Sequence, residues 1–225
     1  SEKAGAAMNR AGGDTMTLID GALYPSLGAQ ATVMPEGLGG GADAETDEEL
    51  RARILDRKRR PPQGGAYSDY EQIALSVSGV VKAWAWPFAH GPGTVGVWFL
   101  FSGRENLIPT APDVLAVREE LESRRLIRAG LSVAAPLPVP LDVTISGLAR
   151  DTVETRVAIE ASLRAMLYER ARPGVAIEPF VLSRSWVAEA VSLAVGEDRH
   201  MLASPLADVT YVDGQYPILG TVTYE

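Results

Sequence analysis

The stretch "RKRRPPQGGAYSDYEQIA", Arg57 to Ala74, decides how the first half of the chain folds. A basic cluster runs through two prolines and two glycines into an apolar-periodic segment, so it is either a ligand loop or a corner. Pro61 and Pro62 stop a preceding helix, because proline lacks the amide donor and biases its predecessor away from helix. Gly64 and Gly65 allow positive φ in the turn. Ser68 with Glu71 has capping-box spacing for a second helix, whose buried stripe is Tyr70, Ile73, Ala74 and Val77. A phosphate-cradling loop follows a strand and usually carries Lys or Arg at the helix start. Here a helix precedes the glycines and the acidic Asp69 follows the cap. The stretch reads as a corner.

Upstream lies "ETDEELRARILDRKRR" (45–60). Thr46 and Glu49 fit a capping box, and acids fill the first turn and bases the last, which suits the helix dipole. Its apolar residues are only Leu50, Ile54 and Leu55, a narrow stripe on a mainly solvated helix. The basic end, Arg57, Arg59 and Arg60, is a candidate contact for an acidic partner. Residues 1–42 are rich in Gly and Ala, with weak strands in "TMTLID" and "ATVMPEGL". They form an extended arm, or the remnant of a preceding domain, with too little apolar surface to fold alone. The chain opens on Ser1 and not Met, and reads as a processed or truncated piece.

Downstream, "GVVKAWAWPF" and "GTVGVWFLF" are β-type runs joined by "AHGPG", a hairpin. A helix over 112–128 and the strand "LSVAA" complete a central α+β domain, 43–136. The proline-punctuated "PLPVPL" reads as an extended link and marks the boundary. A C-terminal domain, 137–225, opens on the alternating strand "LDVTIS". Asp151 with Glu154 caps a long helix to about Arg170, another helix covers about 183–195, and three β-type runs follow: "HMLAS", "ADVTYV" and "PILGTVTYE". In both halves a helix ends in glycine ahead of β runs, which suggests a loose repeat. The fold class is α+β: two small sandwich-like domains with mainly antiparallel sheets after an N-terminal arm.

Composition narrows the chemistry. The 225 residues carry 21 basic and 29 acidic side chains, a net charge of −8, which argues against a broad basic face for nucleic acid. No apolar run approaches the roughly 20 residues that span a bilayer. Cysteine is absent, which removes thiolate nucleophiles and zinc–thiolate sites. His90 sits at the hairpin turn and His200 follows "GEDR" near Glu197 and Asp198. Neither has metal-ligand spacing, and no G-x-S-x-G supplies a nucleophile. The five acids of "DAETDEE" have cap spacing and not that of a calcium loop. No cofactor, metal site or catalytic constellation is expected. Trp84 and Trp86 share one strand face, with Trp98 across the hairpin. They are sheet core or, if exposed, an interaction surface.

The ordered pieces "GGADAETDEELRAR", "PPQGG", "DYEQIAL", "GPGTVGV" and, near the end, "PGVAIEPFVLSRSWVAEAVSLAVGEDRHMLASPLADV" with "PILGTVTYE" resemble the baseplate J-like (Mu-type baseplate wedge) proteins of contractile-tailed phages. The resemblance covers about Gly21 to Glu225. It implies a structural component of the tail baseplate in the virion, pairing with itself as a homodimer and with other wedge proteins, and coupling assembly to sheath contraction. Members usually carry a further domain ahead of the arm. Small sheets with edges able to add strands fit such a role. Two competing readings are a hydrolase using surface carboxylates and His200, and an oligomerising adaptor of a tailocin or secretion system.

Overall fold

The computed structural model describes residues 9–19, 26, 28–35, 37–38, 45–61, 64–87, 91–124 and 130–225. Two compact units divide the chain, Ser1–Ala135 and Pro136–Glu225.

In the first unit the arm doubles back on itself. Strands β1 (Thr15–Thr17) and β2 (Gln30–Thr32) pair antiparallel, and Arg10 bridges Leu38. Both strands are exposed along their length, while Val33 is buried beside them. Helix α1 (Asp47–Arg59) and helix α2 (Tyr67–Leu75) flank the corner. Strands β3 (Val80–Pro87) and β4 (Thr94–Phe101) form the expected antiparallel hairpin. Helix α3 (Ala111–Ser123) then carries the chain across to β5 (Gly130–Ala134), which lies parallel to β4. Residues 125–129, the end of the longer helix expected from the sequence, lie outside the described residues.

One face of this sheet makes the core. Val95, Val97, Phe99 and Phe101 alternate inward along β4 and meet Ala85, Val133, Tyr70 and Ala74 of α2, and Val117 and Leu121 of α3. Val81 is an extra residue in β3, since Val80 pairs with Phe101 and Lys82 with Leu100. That bulge lets Val80 and Ala83 face the same side despite their odd separation.

The second unit opens on strand β6 (Leu137–Ser146), followed by α4 (Val153–Arg170), β7 (Phe180–Leu182), α5 (Arg184–Ser192), β8 (Met201–Ser204), β9 (Val209–Tyr211) and β10 (Gln215–Tyr224). The segment "PLPVPL" is not a link but the first half of β6, parallel to β10 from Leu137 onward. Leu137 donates its amide toward Gly214, so the alternate residues Pro138 and Pro140 turn their donorless nitrogens to the open side. Only Thr144–Ser146 pair with β8 on that side, which is why prolines are tolerated in a strand central at its other end. The three C-terminal β runs do not form one sheet: β8 and β10 flank β6, and β9 pairs with β7. The two three-stranded sheets differ in order, β3-β4-β5 against β10-β6-β8, so the suggested repeat has no counterpart in topology.

Among the described residues four of the six ladders are antiparallel, and each three-stranded sheet adds one parallel pair. The α+β class holds. The core of the second unit joins Leu141, Val143 and Ile145 to Ile159, Leu163 and Leu167 of α4, and to Val187 and Val191 of α5.

Two caps differ from the sequence reading, that of α4 by one residue and that of α2 by two. Helix α4 is capped by Thr152, whose hydroxyl accepts from the Thr155 amide at 3.2 Å, while Asp151 binds Arg156 as an ion pair. Helix α2 starts at Tyr67, with Ala66 as its N-cap. The third helical residue, Asp69, reaches back and accepts from the amides of Gly65 (2.7 Å) and Ala66 (3.1 Å). The acid that satisfies the helix start is therefore Asp69 and not the Ser68–Glu71 pair.

Candidate interaction surfaces

Freed from capping, Glu71 ties the corner together. One carboxylate oxygen accepts from Arg60 at 2.6 Å and the other from the Ala85 amide of β3 at 3.2 Å. Arg60 also binds Asp56 at 2.7 Å, and its carbonyl accepts from Gln72 Nε2 at 2.7 Å. Partial burial opposes the Arg60 charge, but the two carboxylates outweigh it and raise the guanidinium above its ordinary range. Arg60 thus serves inside the chain, whereas Arg57 and Arg59 are exposed at the end of α1. Pro62 and Gln63 lie outside the described residues.

Gly64 and Gly65 have φ of +79° and +133°, as the corner reading requires. A Cβ at Gly64 meets nothing within 4 Å, so only backbone strain opposes a side chain there. Gly64→Ala should lower stability by about 1 kcal/mol, measured by chemical denaturation. Phosphate or nucleotide titration should leave the Gly64–Ser68 amide signals unmoved. A specific shift there would restore the ligand-loop reading.

Trp84 and Trp98 stand directly opposite in the hairpin register. Trp86 meets Trp98 edge-on, with centroids 5.6 Å apart at 69°. All three lie on the sheet face away from the α2–α3 core. Trp86 and Trp98 are buried, at 6% and 9% exposure, and Trp84 is half-buried. Of the aromatic face, Trp84 offers the most surface to a partner. In the second unit, Trp186 is half-buried beneath Arg170, whose guanidinium stands 5.2 Å from the ring centre.

The accessible apolar surface of the first unit lies elsewhere. Met16, Ile19, Met34 and Leu38 are exposed on the arm, and Leu50, Ile54 and Leu55 on α1. The α1 residues line a shallow groove with Asp47 and Arg51. The Glu49 side chain, invoked in the expected capping box, lies outside the described residues.

The polar clusters are structural in geometry. His200 Nδ1 lies 2.9 Å from Glu197, both nearly enclosed, and among the described residues no hydroxyl joins their contact. Asp113, the most deeply buried acid, accepts both arms of the Arg104 guanidinium at 2.8 Å, and also the hydroxyl and amide of Thr110. Among the described residues no three His, Asp or Glu side chains gather as metal ligands, and no helix is long and apolar enough to cross a membrane. His90 lies outside the described residues.

Comparison with known proteins places the chain in a family. The model of the baseplate J-like central domain matches residues 62–138, which hold the corner's second half, α2 and the whole β3-β4-β5 sheet. The protein JayE of Escherichia coli K12 is 33% identical over 222 residues, 98% of this chain and 81% of its own length. Mu-like prophage FluMu protein gp47 of Haemophilus influenzae is 34% identical, over 88% of this chain. Baseplate protein gp47 of Escherichia phage Mu is 34% identical, over 67% of this chain. The matches cover 57% and 44% of those two gp47 proteins, respectively. With 98% of this chain matched to a relative at 33% identity, over 81% of that relative's length, and the central-domain model aligned on the β3-β4-β5 sheet, the chain belongs to the baseplate J-like family.

Proposed function

We propose that the protein is a structural component of a contractile-tail baseplate, placed in the wedge of the virion, where it pairs with itself and with neighbouring wedge proteins. The observation that carries this reading is the family match combined with apolar side chains left in solvent on the arm and α1. Large exposed apolar patches on a soluble chain mark contact surfaces. It works by assembly and not by catalysis, coupling wedge contacts to sheath contraction. Trp84 and the basic end at Arg57 and Arg59 belong to the same contact surface.

The test is sedimentation of the full chain, and of a form lacking residues 1–42, alone and with neighbouring baseplate proteins. The full chain should associate, and removing the arm should weaken that association at least tenfold. Contacts through Arg57 and Arg59 should fade as salt rises, while apolar contacts persist. His200→Ala should assemble as the parent does. A full chain that stays monomeric and binds no baseplate protein would remove the proposal's basis.

A further inference from the structure

We propose that α1 is a self-complementary pairing helix, docking antiparallel on α1 of a second copy. The inference rests on the self-association proposed above and supplies one part of its surface beside the arm. The helix has 13 residues, and a lone helix of about that length is marginal in water. Side chains 50–55 are all exposed, so the fold leaves this helix without the buried face that normally holds one in place.

Its pattern matches its own reverse. Asp47, Leu50, Ile54 and Arg57 form one row along the helix; Glu48, Arg51, Leu55 and Lys58 form the neighbouring row. Turned end for end, a second copy sets its Leu55 against Leu50, its Ile54 against the stem of Arg51, its Lys58 against Asp47 and its Arg57 against Glu48. The apolar residues meet at the centre and opposite charges at both ends. A parallel pairing would instead set acid on acid and base on base. The antiparallel arrangement also opposes the helix dipoles, whose ends already carry matching charges. The two contacts are related by a twofold axis, the form a closed dimer interface takes.

The chain has no cysteine, so introduced thiols report without background. Full-length protein carrying Asp47→Cys and Lys58→Cys together is oxidised mildly, beside each single variant. Within one helix the two positions lie about 16 Å apart, too far to bridge. A covalent dimer from the double variant, with little from either single, is the expected result. Ile54→Glu should raise the dimer dissociation constant by roughly 100-fold, because the change counts twice in a symmetric pair.

Four outcomes decide the matter. Covalent dimer from the double variant, with weakened association of Ile54→Glu, supports the pairing. A dimer by sedimentation in which Lys58→Cys alone links as readily, or nothing links, overturns it while leaving self-association standing. Monomers throughout overturn both. Parent-like dimers of Ile54→Glu that no longer bind a neighbouring baseplate protein assign α1 to that protein instead.

Discussion

Gly174→Ala is expected to unfold the C-terminal unit. A Cβ at this position would stand 1.9 Å from the carbonyl oxygen of Tyr211 and 3.0 Å from the amide nitrogen of Phe180. Both obstacles are backbone in the β7–β9 ladder, so no rotamer change relieves them. Gly174 is itself fixed on both sides, donating to Gln215 at 2.9 Å and accepting from Gly214 at 2.7 Å. Making room means breaking the ladder or pulling the start of β10 from β6. The cost should exceed about 4 kcal/mol, in the range reserved for a named steric fault. Amide exchange on the full chain reads it directly. Protection should vanish over Leu137–Ile145 and Phe180–Tyr224 and persist at Val95–Phe101. Unchanged protection in both units would refute the close approach.

Asp113→Ala should cost the first unit about 3–5 kcal/mol, since it strands a buried guanidinium. Asp113 is 1% exposed and Arg104 only 13%, and the change also leaves the Thr110 amide and hydroxyl unpartnered at the start of α3. Burial works against the Asp113 charge. The Arg104 fork and the two Thr110 donors overcome it, and the carboxyl sits below its ordinary 3.8. A carboxyl lowered by folding contributes stability at pH above its unfolded value and loses it as pH falls through the folded one. The stability gap between parent and Asp113→Ala should therefore stay constant down to about pH 5 and narrow only on further acidification. A gap that narrows already between neutral pH and about 5 would mean that the carboxyl is not held down.

The parts legible in the sequence are those where local chemistry and tertiary need agree. Proline, glycine and helical periodicity marked the corner at 57–74, and period-two tryptophans put Trp98 across the hairpin from Trp84 and Trp86, though not the register or the bulge at Val81. The caps were misplaced by one or two residues because several acids and hydroxyls stand within reach of each helix start. Only the far partners choose between them: Arg60 and Ala85 claim Glu71, which leaves the cap to Asp69. Pro138 and Pro140 read as a link because nothing local tells an open strand edge from a tether. The β10 partner that makes "PLPVPL" a strand lies more than seventy residues away. For the surface, composition could show that the arm and α1 were poor in core. Which side chains remain uncovered depends on the finished fold.

The Glu71 contact with the Ala85 amide has a consequence for polymerisation. Strand β3 lies at the outside of its sheet, and a bare outer strand invites further strands to zip on without limit. A carboxylate seated on one of its donors interrupts that template. The same obstruction recurs at the other sheet. Pro138 and Pro140 withhold donors along the open half of β6. Copies held at high local density would otherwise be free to add strands at these two edges. With these two stretches blunted, strand addition there is checked, and copies can meet through side-chain surfaces that close on themselves and stop.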